Sequence, residues 1–136
     1  MNSYIGKRSI YRHEGDRIKI DYTNGFCEVL NPKGENLLSA DIHYWKYSMD
    51  LKYNIKQKGK EFDWGYVGVY PSNLAKSIMA DFLNVEPKDI PHEAIDRFCS
   101  EVISVLPYEG FELNADELKE YLKRIFGELY EVEFEE

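Results

Sequence analysis

Residues 72–84, SNLAKSIMADFLN, decide the fold class because the hydrophobic pattern of the chain changes its period there. Within this stretch the apolar residues recur three and four positions apart, the spacing of a helix that buries one face. They are Leu74, Ala75, Ile78, Met79, Phe82 and Leu83. Pro71 precedes them, and proline is favoured in the first turn of a helix. The sequence therefore predicts an amphipathic helix over residues 72–84.

Before Pro71 the apolar residues alternate with polar ones, which is typical of strands. Ile18 and Ile20 stand between charged neighbours, and Asn24-Gly25 is the favoured signal for a two-residue hairpin turn. We predict an antiparallel sheet within residues 3–66 that begins as a meander of three strands. The predicted strands cover residues 3–11, 17–22 and 26–30, with a further strand at 44–53.

Two more helical stripes follow the first one. Pro107 stops the earlier stripe, and Asn114 followed by Glu117 resembles a capping box that starts the later one. We predict these helices at 92–106 and 115–129. Strands followed by helices favour an α+β fold, with the helices packed on one face of the sheet. We expect one domain over 1–136, strands in 1–66 and helices in 72–129, with 130–136 forming an acidic tail or a short edge strand.

Length and composition restrict the class of protein. The chain has 136 residues, 43% of them hydrophobic, which suits one compact domain with its own core. Its apolar runs are far shorter than the roughly 20 residues that a membrane span needs. Cys27 and Cys99 lack the spacing of a zinc or redox site. We expect a cytoplasmic protein with no metal, no cofactor and no membrane partner.

The charge of the chain is negative and unevenly distributed. A net charge of -8 argues against general nucleic-acid binding, which depends on lysine and arginine contacts with phosphates. Residues 109–136 hold ten acidic and three basic residues. Three roles are open for this acidic segment: it repels nucleic acid, it imitates the charge of nucleic acid toward a basic groove of a partner protein, or it keeps the protein in solution. Glu131, Glu133 and Glu135 are the candidate contacts for such a partner.

The stretch 62–73, FDWGYVGVYPSN, is a candidate ligand site. Glycines before a helix let backbone N–H groups converge on an anion, although this spacing matches neither the dinucleotide fingerprint nor the P-loop. Two interpretations remain open, a tight turn whose aromatic rings pack over the helix and a site for a phosphorylated ligand. A ligand site would use Trp64, Gly65, Tyr66, Gly68, Ser72 and Asn73, with Arg8, Arg12 or a lysine from residues 46–60 as a counter-charge.

Aromatic residues interleaved with lysines fill residues 44–70. Such a mixture can stack bases and contact phosphates, but alternation along a strand places only half of the side chains on one face. A core face with solvated lysines opposite it, a protein-binding face and a nucleotide site are all compatible with the pattern. For the protein-binding face the candidate residues are Tyr44 and Trp45.

Catalytic groupings are sparse in this chain. The three histidines, at positions 13, 43 and 92, are scattered, and none forms the paired spacing of a metal site. No serine lies in the glycine-flanked setting of a nucleophile. We therefore expect that the protein is not an enzyme.

Several short motifs resemble a small uncharacterised family. They are Tyr4-Ile5-Gly6-Lys7-Arg8, Phe62-Asp63-Trp64-Gly65-Tyr66 and Leu106-Pro107. Members of that family, a domain of unknown function from bacteria, bacteriophages and mobile elements, open with Tyr-x-Gly-x-Arg and carry a Phe-x-Trp-Gly-Tyr loop before a helix. This chain has Val67, Val69 and Tyr70 where the family tends to have small residues, which disfavours a phosphate-cradling loop here.

The resemblance implies an accessory protein of a phage or mobile element. With no catalytic grouping visible, we expect it to act by binding a host protein, with inhibition of a defence system as its use. The alternative is a sponge for a phosphorylated or cyclic nucleotide signal, bound at the loop between Trp64 and Ser72. The sequence leaves the oligomeric state, the partner and the host open.

Overall fold

A computed structural model of the chain describes residues 2–8, 12–14, 17–19, 27–37 and 62–130. The strands are β1 (Ser3–Arg8), β2 (Arg12–Glu14), β3 (Arg17–Lys19), β4 (Cys27–Leu30) and β5 (Gly110–Asn114). The helices are α1 (Val69–Leu83), α2 (His92–Glu101) and α3 (Ala115–Tyr130). Short 3-10 helices cover Pro87–Asp89 and Ile103–Val105. The predicted α+β class, with an antiparallel sheet and three helices, is confirmed.

The main sheet has the strand order β4-β1-β5, and both pairings are antiparallel. This order differs from a meander of consecutive neighbours, because β1 pairs directly with β4 while β2 and β3 form a separate hairpin. His13 and Glu14, which lie between the first two predicted strands, belong to β2. β5, a five-residue strand between two helices, is not predicted from the sequence. It is too short to show a period and depends on its pairing with β1.

One face of the main sheet is buried and the other is exposed. Tyr4, Val29 and Phe111 point into the core, while Glu28 and Glu112 on the opposite face are exposed. All three helices add buried residues to the same core, for example Leu74, Phe98 and Leu122. These contacts place the helices against the buried face.

Gly6 is required by the packing of the central strand. It lies opposite Phe111 in the register of β1 and β5, and a Cβ at Gly6 would stand 2.0 Å from Cε2 of the Phe111 ring. The phenylalanine ring therefore occupies the space above the glycine. The same ring meets Trp64 edge to face, with centroids 4.9 Å apart.

The helices follow the predicted stripes but differ at their ends. α1 begins at Val69, three residues before the predicted start, and α2 ends at Glu101 instead of 106. The chain turns into a 3-10 helix before Leu106, whose extended backbone is the conformation favoured before a proline. Asn114 caps α3 as predicted, because its Oδ1 accepts bonds from the N–H groups of Asp116 and Glu117 at 2.8 and 3.2 Å.

Several sequence-based predictions fall outside the described residues. They concern the hairpin turn at 24–25, the strand at 44–53 and the acidic end at 131–136.

Candidate functional site

Trp64 joins the loop before α1 to the segment after α2. Its side chain is completely buried, and its Nε1 donates hydrogen bonds to the carbonyl oxygens of Pro107 and Tyr108 at 2.9 and 3.1 Å. A ring enclosed in this way is not accessible for stacking on a ligand at the surface, which was the role expected for it. The packing interpretation of the loop fits this tryptophan better.

The two glycines of the loop also have structural partners. Gly65 has a φ of 89°, a conformation that favours glycine, and its N–H donates to the carbonyl oxygen of Ile103 at 3.0 Å. Gly68 is extended, with a φ of 172°, and precedes the first turn of α1. Burial raises the pKa of the Cys99 thiol, and a bond from the Gly68 backbone acts in the opposite direction. The Gly65 N–H is therefore occupied, which leaves it unavailable to an anion.

Tyr66 is fixed at the surface by a neighbouring carboxylate. Its hydroxyl donates to Oδ2 of Asp63 at 2.9 Å, and Oδ1 of Asp63 accepts the N–H of Trp64 at 2.9 Å. The aspartate thus orients the exposed tyrosine ring relative to the buried tryptophan.

Large apolar side chains lie exposed at the start of α1. The exposed fractions are 41% for Tyr66, 68% for Val67, 75% for Val69 and 48% for Tyr70. Tyr108 extends this surface, since its ring approaches Gly65 and is itself exposed. We call these five residues the apolar patch. Sequence reasoning missed the two valines, although both lie outside the buried stripe of the helix.

A groove between the start of α1 and α2 adjoins the apolar patch at Val67. Its volume is about 630 Å³. Loop and α1 residues form one wall and α2 residues form the other: Val67, Gly68, Ser72, Glu93, Asp96, Arg97, Cys99 and Ser100. Of the predicted ligand residues, Gly68 and Ser72 line this groove, while Asn73 is half-buried in the first turn of α1.

The groove carries a negative charge. The guanidinium of Arg97 is held by Glu101, with Nε to Oε1 at 3.0 Å, and by Glu128. Glu93 accepts a hydrogen bond from the Tyr130 hydroxyl at 3.3 Å. Asp96 makes no side-chain hydrogen bond or ion pair with any residue in the described part of the chain. Carboxylates without matching cations favour a positive group in the groove over a phosphate.

A second cleft, of about 440 Å³, lies between β1, the loop after β4 and α1. The Tyr4 hydroxyl donates to Oδ2 of Asp81 at 2.5 Å, and burial together with this bond raises the pKa of the phenol. Oδ1 of Asn31 accepts the N–H groups of Lys33 and Glu35, each at 3.0 Å. The side chains of Tyr4, Asp81 and Asn31 therefore have structural partners within the cleft.

The remaining predicted contacts are not assembled into a site. Arg8 belongs to β1, and only its backbone is described. Tyr44, Trp45, Glu131, Glu133 and Glu135 lie outside the described residues.

The described ranges contain neither a membrane-spanning helix nor a metal-binding cluster. None of the helices found there has the length and apolar character needed to cross a membrane. Within the same ranges, His, Cys, Asp and Glu side chains form no group of three or more that could hold a metal ion.

Comparison with known proteins identifies a family but no activity. Neither the curated proteins nor the solved structures include a match to this chain. A family model described as a family of unknown function, DUF6166, matches residues 14–124. This range includes the loop before α1, the groove and most of α3. Since the match covers most of the 136 residues, the chain belongs to the DUF6166 family of unknown function.

Proposed function

We propose that this protein acts without catalysis, by binding another protein through the apolar patch. The observation that carries the proposal is the exposure of Tyr66, Val67, Val69 and Tyr70, four large apolar side chains within five positions. Contiguous exposed apolar surface is typical of interaction sites, and tyrosine is enriched where binding energy concentrates. The bond from Tyr66 to Asp63 holds one ring in place before a partner arrives, which reduces the entropy lost on binding.

Charge indicates the kind of partner surface. The chain carries a net charge of -8, and unbalanced carboxylates stand beside the apolar patch in the α1–α2 groove. A partner with a basic surface is attracted at a distance and complementary on contact. We therefore propose a basic protein surface as the binding partner.

The same observations weigh against the nucleotide-binding alternative. The Gly65 N–H already has an acceptor, and Trp64 is enclosed. Glu93 and Asp96 would repel a phosphate placed in the groove. Protein binding is accordingly the function that the arrangement of these side chains supports best.

The biological setting of the proposal rests on the resemblance to a phage and mobile-element family. We propose a bacterial host protein as the partner, with inhibition of a defence system as the outcome. Phage or plasmid challenge of a defended strain, with and without the protein, tests this setting. Equal protection of the defended strain with and without the protein would reject the defence role.

A pair of matched variants tests the binding surface. Val69 is 75% exposed at the start of α1, and Val85 is 42% exposed beyond the end of the same helix. We expect Val69→Asp to lose a partner that the wild-type protein retains in affinity capture, because a charge is then buried against apolar surface. Val85→Asp should retain the same partner. Circular dichroism and thermal melting establish that both variants fold, and equal capture by all three proteins would contradict the proposal.

A further inference from the structure

Asp96 stands out among the charged groups of the α1–α2 groove. Its carboxylate is exposed on α2 and makes no side-chain hydrogen bond or ion pair with the described residues. The other charged groups of the groove are engaged, since Arg97 is held by two glutamates and Glu93 by Tyr130. Asp96 is thus the lining carboxylate that remains open to a cation from outside.

The surroundings of Asp96 suit a long basic side chain. Val67 and the Cys99 thiol contribute apolar surface to the groove, while Ser72 and Ser100 add hydroxyl groups. Lysine and arginine place their methylene stems along apolar surface and keep the charged head in a polar setting. A groove that combines apolar surface with an exposed carboxylate matches both parts of such a side chain.

The groove is also continuous with the apolar patch, because Val67 belongs to both. A segment that covers the apolar patch with apolar side chains therefore brings its neighbouring residues to the groove. Charge complementarity then determines which residue is accepted there.

We infer that the partner inserts a lysine or arginine side chain into the α1–α2 groove, where it pairs with Asp96 while adjacent apolar residues cover the apolar patch. This inference rests on the proposed protein-binding function and specifies the chemistry that the partner must present. An acidic or purely apolar segment would leave Asp96 desolvated without a counter-charge, which is unfavourable.

Peptide selection with charge-reversed variants tests the inference. A phage-displayed library of random peptides is selected separately on the intact wild-type protein, on Asp96→Lys and on Glu112→Lys. Glu112 is an exposed glutamate on the outer face of the sheet, so its reversal changes the net charge equally without altering the groove. Synthetic versions of the selected peptides, each with its basic residue replaced by glutamate, provide the affinities.

We expect the wild-type protein and Glu112→Lys to select apolar peptides with one basic residue. Replacing that residue by glutamate should weaken their binding by about fivefold or more, the upper range for one exposed ion pair. Asp96→Lys should reverse this preference. If Asp96→Lys keeps the wild-type preference while Val69→Asp still abolishes binding, the inference is wrong and the binding surface stands. If Val69→Asp binds every peptide that the wild-type protein selects, or if the wild-type protein selects none, the proposed function and the inference both fail.

Discussion

The indole Nε1 of Trp64 lies 2.9 Å from the carbonyl oxygen of Pro107, a hydrogen bond between residues 43 positions apart. This bond joins the loop that precedes α1 to the segment that follows α2. It also explains why a tryptophan in a glycine-containing loop need not serve a ligand. The Trp64 ring is buried, whereas the side chains of the apolar patch are exposed.

Trp64→Phe should destabilise the protein by about 2 to 3 kcal/mol, because it removes buried ring volume and leaves the Pro107 and Tyr108 carbonyl groups without their donor. Urea denaturation followed by circular dichroism measures the change. An unchanged unfolding midpoint would mean that the indole does not hold the two segments together.

Gly65 and Gly68 should respond differently to alanine. Gly65→Ala is expected to cost about 1 kcal/mol or more, since its φ of 89° is strained for a residue with a Cβ. Gly68 is extended, and a Cβ there would lie 3.0 Å from the Tyr66 ring and 3.9 Å from Cδ of Pro71, so the backbone is unstrained and the exposed ring needs to yield by only a few tenths of an ångström. Thermal melting of the two variants provides the comparison, and an equal or larger loss for Gly68→Ala would contradict this account of the loop.

These two glycines illustrate what the sequence reveals and what it does not. The helical stripes predicted three helices because burial of one face imposes a period on the chain, and Asn114 marked the start of α3 by its capping chemistry. The role of each glycine depends on φ and on neighbours distant in sequence, such as Ile103 and Cys99. The local sequence pattern around a glycine indicates neither its φ nor its distant neighbours.

The sequence draws attention to the loop before α1 but does not predict the groove beside it. The loop at 62–73 was singled out for its glycines and aromatic rings, and the groove does begin there. Its acidic wall comes from α2, whose Glu93 and Asp96 were indistinguishable from any solvated helix face until α1 and α2 were packed together. Strand β5 was missed for the same reason, because its pairing partner is more than a hundred residues away.

Tyr4→Phe should reduce stability by about 1.5 to 3 kcal/mol, the range for a hydrogen bond to a charged group, by removing the bond to Asp81. The pKa of the Tyr4 phenol is raised above its usual 10.0. The stabilisation that the Tyr4 hydroxyl provides is therefore fully present below pH 10. It declines as the pH rises further, because the unfolded chain then releases a proton that the folded protein retains. Denaturant titrations above and below pH 10 should show that the wild-type protein and Tyr4→Phe differ less in free energy of unfolding at high pH. A constant difference would refute the assignment.

The contact between α2 and α3 should weaken at acidic pH. The Tyr121 hydroxyl donates to Oε1 of Glu101 at 2.6 Å, and this bond, followed by the bond from Arg97, holds the pKa of Glu101 below its usual 4.5. The stabilisation is present above pH 4.5 and is lost as the pH falls through the lowered value. Tyr121→Phe should raise the pKa of Glu101, measured by NMR titration of the carboxyl carbon. If the pKa of Glu101 is unchanged in Tyr121→Phe, the Tyr121 hydroxyl is not the main cause of its lowered value.

Site-specific photo-crosslinking tests the proposed binding surface most directly. A photoreactive amino acid is placed at Val69, within the apolar patch, or at Val85, an exposed valine beyond the opposite end of α1. After irradiation in living bacterial cells, we expect one discrete crosslinked protein from position 69, attached at an apolar segment with a lysine or arginine, and none from position 85. Absence of a crosslink at position 69, or the same products from both positions, would contradict the proposed binding surface.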